Sequence, residues 1–178
     1  MTLEITIPNS NEYASYYGRY IEPVAARGDV LAALPRQIDE IKSALGNLTD
    51  EQALFRDAPN EWTIKEVMGH MNDVERIFAY RLICISRNDQ TPLPGFEQDD
   101  YVREAGFNNY PIADLISEFE LMRHANILAI KNMSTESTLR LGTASGFPVS
   151  VRALIYMLVG HVEHHMASLH EKYLPAIK

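Results

Sequence analysis

His161 and His165 stand four residues apart in Gly160-His161-Val162-Glu163-His164-His165. On a helix that spacing sets both imidazoles on one face, roughly 40° apart. Their Cβ atoms then lie about 5 to 6 Å from each other, close enough for both rings to reach one ion. By the same count they fall among Leu154, Leu158 and Ser168, on the stripe that must face inward. His164 falls roughly 80° off the stripe centre and His170 on the opposite side, so neither is a ligand candidate. Two imidazoles rarely hold a metal tightly, and His70 supplies a third from an earlier helix. It sits at the edge of an apolar stripe, with Glu66 one turn before it and Asp73 three residues after it. Either carboxylate is placed to orient the ring or to add a fourth ligand, because a carboxylate bonded to an imidazole fixes its tautomer and raises its basicity. The candidate ligands are therefore His70, His161 and His165, and the candidate catalytic carboxylates are Asp73 and Glu66.

A lone inward histidine in a helical core is usually a hydrogen-bonded structural residue. Three are harder to bury, since each brings a donor and an acceptor into apolar surroundings, and one shared cation resolves that cost in a single step. Three neutral imidazoles leave a divalent ion its full charge and an open position, the arrangement of a catalytic rather than a structural site. Water or a thiol bound there becomes a nucleophile near neutral pH. Other metal patterns fit poorly. Glu163 stands two residues after His161, not directly after it as in the zinc-protease motif, and paired Glu-x-x-His motifs of di-iron bundles are absent. Cys84 shares the flank of His70 but lies roughly 21 Å further along the helix. It reads as a small buried apolar residue. No Ser-His-Asp or Cys-His pair is evident, so any catalysis depends on the ion or a cofactor. Imidazole accepts zinc, nickel, copper and iron alike.

Four helices must position these groups. Leu31, Leu34, Ile38, Ile41, Leu45 and Leu48 recur at spacings of three and four and predict a first helix, with Pro35 in its first turn or a short turn preceding it, and Gly46 and Asn47 as its stop. Thr63-Ile64-Lys65-Glu66 has the form of a capping box and predicts a second helix from Ile64 to Ser86. Residues 87–110, with Pro92, Pro94, Gly95 and Gly106, read as an irregular loop. Its Phe96, Tyr101 and Phe107 are equally suited to a substrate lid and to capping the core. Trp62 reads as a packing anchor. Pro111 suits a first helical position, and Leu115, Phe119, Met122 and Ala129 mark a third helix ending near Met133. Thin alternation over residues 138–149 allows a short hairpin. Ser150 caps a last helix that Pro175 stops. Tyr13, Tyr16, Tyr17 and Tyr20 have helical spacing and suit a bundle end or a dimer surface. The class is all-α, a four-helix bundle in a single domain over residues 1–178.

With 178 residues, 46% of them apolar, the chain can bury one substantial core. A formal charge of -8 without a basic cluster disfavours nucleic acid and anionic membrane surfaces as partners. No apolar run approaches the roughly 20 residues of a spanning helix. One cysteine forms no internal disulfide, and the opening MTLEITIPNS lacks the look of a secretory signal, so a cytoplasmic location is expected.

The segment Glu61-Trp62-Thr63-Ile64-Lys65-Glu66-Val67-Met68-Gly69-His70-Met71-Asn72-Asp73-Val74-Glu75-Arg76, followed by residues 160–165, resembles the DinB-like (DinB/YfiT-like) superfamily. The likeness covers nearly the whole chain, through Tyr16-Tyr17-Gly18-Arg19-Tyr20 and Pro92-Leu93-Pro94-Gly95-Phe96. It implies an up-down-down-up four-helix bundle, often dimeric. It also implies a zinc, nickel or similar ion held by one histidine of the second helix and two of the last, positions that fall on His70, His161 and His165. Family members include transferases that join a low-molecular-weight thiol to an electrophile and thiol-dependent isomerases, while many have no assigned reaction. The expected function is a metal-dependent thiol S-transferase or hydrolase acting on a small molecule, with a low-molecular-weight thiol as the expected second cofactor and a homodimer as the expected assembly. The alternative is a non-catalytic, metal-stabilised binding or stress-response module, because fold alone does not select a reaction.

Overall fold

The computed structural model of the chain describes residues 3–28 and 30–177, so the first two residues of the N-terminal segment lie outside it. Its elements are α1 (Gly18–Arg27), α2 (Val30–Leu45), α3 (Ile64–Ser86), α4 (Gln98–Ala105), α5 (Ile112–Lys131), α6 (Thr135–Thr138), β1 (Leu141–Ala144), β2 (Phe147–Ser150) and α7 (Val151–Ser168). Local chemistry sets the starts of the two helices that matter most for the histidines. The Thr63 hydroxyl accepts from the Glu66 amide at 3.1 Å while Glu66 Oε2 accepts from the Thr63 amide at 2.7 Å, so the capping box forms as the sequence predicts. Ser150 Oγ accepts from the Ala153 amide at 3.0 Å and starts α7 in the same way.

The four long helices form the bundle. α2 packs against α5 and α7, and α3 packs against the same two, which places α2 and α3 across a diagonal. The link between them, residues 46–63, must therefore cross one end of the bundle. The apolar interior splits into two clusters. Leu34, Val74, Phe78, Leu154 and Leu158 belong to one, and Ile38, Val67, Met71, Phe119 and Val162 to the other. Between them runs a buried polar layer with at least one member from each long helix: Gln37, His70, Asn72, Glu75, Arg123 and His161. Among the described residues no helix is long and apolar enough to cross a membrane.

Several predicted boundaries need correction. Helix α1 shows no clear period in the sequence, because its ten residues carry Pro23 and only a short apolar stripe of Tyr20, Ile21 and Val24. Packing against α7 pulls it into order. Pro35 is the sixth residue of α2, not part of its first turn. The extra turn before it persists because Val30, Ala33 and Leu34 are buried, and that burial offsets the donor that proline lacks. Pro111 is the N-cap of α5 rather than its first residue. The 87–110 segment is not wholly irregular, since it contains α4, a helix that buries only Val102 and so shows no stripe in the sequence. Leu93 pairs with the hairpin edge, its amide donating to Thr143 O at 2.9 Å. The hairpin itself exists with Leu141 opposite Ser150 and Ala144 opposite Phe147. Ser145 and Gly146, both at positive φ, form its two-residue turn.

Gly160 is where α1 crosses α7. A Cβ placed there would sit 2.1 Å from the Tyr20 carbonyl oxygen, a backbone atom that cannot swing aside. Gly160→Ala is therefore expected to cost about 1–3 kcal/mol of stability, as overpacking does, and to displace Tyr20 from the adjoining His161. Urea melts of the two proteins measure it, and coincident midpoints would contradict the contact.

Candidate metal centre

α3 carries His70 and α7 carries His161 and His165 to one point inside the bundle. His161 Nε2 lies 3.0 Å from His70 Nε2 and 3.1 Å from His165 Nε2. One ligand atom from each of the three rings fits within a mutual span of 4.8 Å. His70 and His161 are buried and His165 is partly buried. The Nε2 of His161 has either one N–H or one in-plane lone pair, so it satisfies one of its two nitrogen neighbours and not both. A cation between the three rings removes that conflict. Around a tetrahedral zinc with Zn–N near 2.0–2.1 Å, ligand nitrogens stand about 3.3 Å apart, within a few tenths of an ångström of these two separations. The three residues chosen from spacing are the three that the fold brings together, and the donor set suits a borderline-soft divalent ion.

Burial governs their charge. His70 is held down at about 4 by desolvation alone. His165 is held at about 3 by desolvation and then by the neighbouring His70, His164 and Arg19. His161 lies well below the ordinary imidazole value, from desolvation first and then from His165 and His70. All three are neutral and ready to donate lone pairs at pH 7. The unfolded chain binds protons near 6.5 and the folded chain does not, so stability is complete above 6.5 and falls as the pH drops toward 4. Each such proton is worth about 1.4 kcal/mol per pH unit. Metal-free protein is expected to lose stability steeply between pH 6.5 and 4 in chelator-treated urea melts, and a flat profile there would contradict neutral buried rings.

Aromatic rings wall the trio. Trp62 stands 4.8 Å from the His70 ring, Tyr20 5.5 Å from His161, and Phe78 6.1 Å from His161, measured between centroids. Trp62 packs on the His70 ring, and Tyr16, Tyr17 and Tyr20 border the opening over His70 and His161. Arg19 lies over the Tyr16 ring at 4.0 Å and donates to Tyr20 Oη at 3.0 Å, which fixes that cover. Two openings lead to the trio. One, of about 290 Å³, reaches His70 and His161 past Tyr17, Phe96 and Glu97. The other, of about 300 Å³, reaches His165 past Trp62 and Tyr173. Gln98 and Asp99, at the start of α4, border both. Of the aromatics in the predicted lid, Phe96 borders the first opening, Tyr101 packs tilted against Phe96 with ring centroids 5.3 Å apart, and Phe107 is buried against Gly69 in the core.

The two candidate carboxylates lie apart from the imidazoles' nitrogen atoms. Glu66 accepts from Thr63 and, through Oε1, from Asn108 Nδ2 at 2.8 Å, and so holds the start of α3 to the segment before α5. Asp73 is half-buried, its carboxyl raised by burial first and by Glu118 against the opposing pull of Arg76, and it borders neither opening. His164 is exposed, its ring 5.2 Å from His165.

Sequence reading missed the brace behind the ligands. Arg123, fully buried, donates from Nε to Glu75 Oε1 at 2.9 Å and from Nη2 to Glu75 Oε2 at 2.7 Å. Its remaining bonds reach Gln37 Oε1 at 2.7 Å and the Leu158 carbonyl at 3.1 Å. Gln37 in turn donates to the Val159 carbonyl at 2.8 Å. These bonds grip α7 less than one turn before His161 and tie it to α2, α3 and α5. The signal was available, since Gln37 interrupts the stripe of Leu34, Ile38 and Ile41, and Arg123 sits four residues after Phe119.

Comparison with known proteins places these features. YfiT from Bacillus subtilis, described as a probable metal-dependent hydrolase with an unusual four-helix bundle topology, superposes with a TM-score of 0.70 at 15% identity, covering 92% of this chain and 89% of that one. A protein of Geobacillus thermodenitrificans (strain NG80-2) named "Putative metal-dependent hydrolase" is 22% identical over 143 residues, 78% of this chain and 79% of its own. The sequence profile of the DinB superfamily matches residues 33–169, a span that includes all three histidines. The chain belongs to the DinB superfamily.

Proposed function

We propose that His70, His161 and His165 hold one divalent transition-metal ion, zinc or nickel, and that the protein is a metal-dependent enzyme of the hydrolase or thiol S-transferase type acting on a small molecule. The observation that carries this reading is the His161 nitrogen, which stands within 3.1 Å of two other imidazole nitrogens in a site that keeps all three rings neutral. The names of the Geobacillus protein and of YfiT support the hydrolase arm. When bound, such an ion supplies Lewis-acid charge that makes water or a low-molecular-weight thiol nucleophilic near pH 7. The chain does the rest. Tyr20, Phe78 and Trp62 wall the imidazoles and confine the approach of water to the two openings, which strengthens charge interactions there. Glu97 and Asp99, exposed where the openings begin, are the carboxylates placed to move a proton at the rim. Glu66 acts as a positioning residue through its cap and Asn108, one turn before His70. Asp73 is assigned the same kind of role on the flank of α3. Homodimer assembly and a cytoplasmic setting are part of this proposal.

The test is metal content by elemental analysis of untagged protein together with turnover of a panel of hydrolytic and thiol-conjugation substrates. One equivalent of metal per chain and metal-dependent turnover are expected. Stoichiometric metal with no turnover in either panel would favour the non-catalytic binding module.

A further inference from the structure

We propose that a second cleft, beside the histidines, anchors the carboxylate end of a small amphipathic acid, with Arg81 as the anion-binding residue. Arg81 is 2% exposed, yet no carboxylate among the described residues pairs with it. Its Nη2 donates to the Pro94 carbonyl at 2.8 Å and to Ser145 Oγ at 3.0 Å, both neutral acceptors. Arg123, the other buried arginine among the described residues, is neutralised by Glu75. A guanidinium out of water without a counter-charge is costly, and proteins rarely keep one that nothing neutralises. Among the described residues its Nε and Nη1 have no acceptor, yet they are not sealed off, since the one sealed side-chain atom without a partner among those residues is Asn72 Oδ1. Arg81 lines a cleft of about 260 Å³ whose other walls include Ile77, Tyr80, Leu93, Phe96 and Tyr101, with no acid in the lining, and Arg76, which also borders it, is paired with Glu118.

This lining specifies the occupant. The planar fork matches a carboxylate, and with Arg76 of the same lining held by Glu118, Arg81 supplies one uncompensated positive charge, which balances a single negative charge and not the two of a phosphate. The surrounding rings suit an aryl or alkyl body. Phe96 borders both this cleft and the opening over His70 and His161. Arg81 also follows His70 by three helical turns on nearly the same face of α3, roughly 16 Å along the axis. An acid held at Arg81 thus directs its far end toward the imidazoles. That last placement rests on the metal reading above, whereas the anion preference does not.

Binding of 3-phenylpropanoate, 3-phenylpropanamide and inorganic phosphate to the full chain tests this, followed by NMR shifts of the Arg81 side chain and the cleft amides. Wild type is expected to bind the acid roughly tenfold or more tightly than the amide, and phosphate more weakly than the acid. Ser145→Asp puts a carboxylate where Ser145 Oγ now meets Arg81, at a backbone φ of 53° that aspartate tolerates. It should abolish the preference while leaving amide binding in place. Arg81→Gln should do the same, and if it fails to fold, Ser145→Asp decides alone. His161→Ala should keep the preference, so a failed metal centre and a failed anion site give different results. Equal binding of acid and amide by wild type, phosphate binding as tightly as the acid, shifts confined to the histidine cluster, or a preference that survives Ser145→Asp would each overturn the proposal.

Discussion

His161→Ala is expected to weaken metal binding by more than about 10²-fold, and to remove metal-dependent turnover with it. Loss of a residue that merely orients a ligand costs 10- to 100-fold, and His161 is the central nitrogen of the trio, adjoining both of the others. The remaining pair, one ring from each helix, lacks the nitrogen between them. The fold should survive, because the two apolar clusters on either side of the polar layer do not depend on this side chain. A ligand that binds only the folded state stabilises it by about 2.7 kcal/mol at a hundred times its dissociation constant. Added zinc should therefore raise the melting temperature of wild type and leave His161→Ala unmoved. His164→Ala is the control, since His164 is exposed and outside the trio, and should behave as wild type. Equal metal content in His161→Ala and wild type would end the assignment of this site.

Glu75→Ala should destabilise the protein by about 3–5 kcal/mol, because it leaves the Arg123 charge buried without its partner. The pair has side-chain exposures of 0% and 1%, so no solvent screens the loss. Asn126 would also lose its acceptor, since its Nδ2 donates to Glu75 Oε1 at 2.7 Å. Replacing both charges, Glu75→Leu with Arg123→Leu, should recover much of that stability, as removal of a whole buried pair often does. The recovered protein would still lack the bonds to the Leu158 carbonyl and to Gln37 that hold α7 just before His161. It is therefore expected to fold but to bind metal more weakly. Denaturant melts and metal titrations on the single and double variants measure both effects. A double variant as unstable as Glu75→Ala would show that the layer's packing, and not its charge balance, dominates.

Reading the chain residue by residue reached much of this. The starts of α3 and α7 follow from Thr63 with Glu66 and from Ser150, groups whose effect is confined to three or four neighbours. The four-residue step from His161 to His165 sets those two rings on one face wherever α7 lies. Elements with weak internal patterns were missed or blurred: α1 with its internal proline, and α4 with one buried residue in eight. Their order comes from what they pack against, and periodicity does not carry that information.

Residue types and spacings by themselves determined the bundle class, the caps, and which three imidazoles face inward, because each depends on a helix's own period. Only the tertiary structure decided that α3 and α7 bring those imidazoles to within 3.1 Å of a common nitrogen. It also decided that Tyr20 walls the site, that Glu66 serves the cap, and that Arg81 lines a cleft with no carboxylate partner among the described residues. Each of these is a contact between segments far apart in the chain, and its geometry is set by how whole helices pack rather than by any local run of residues.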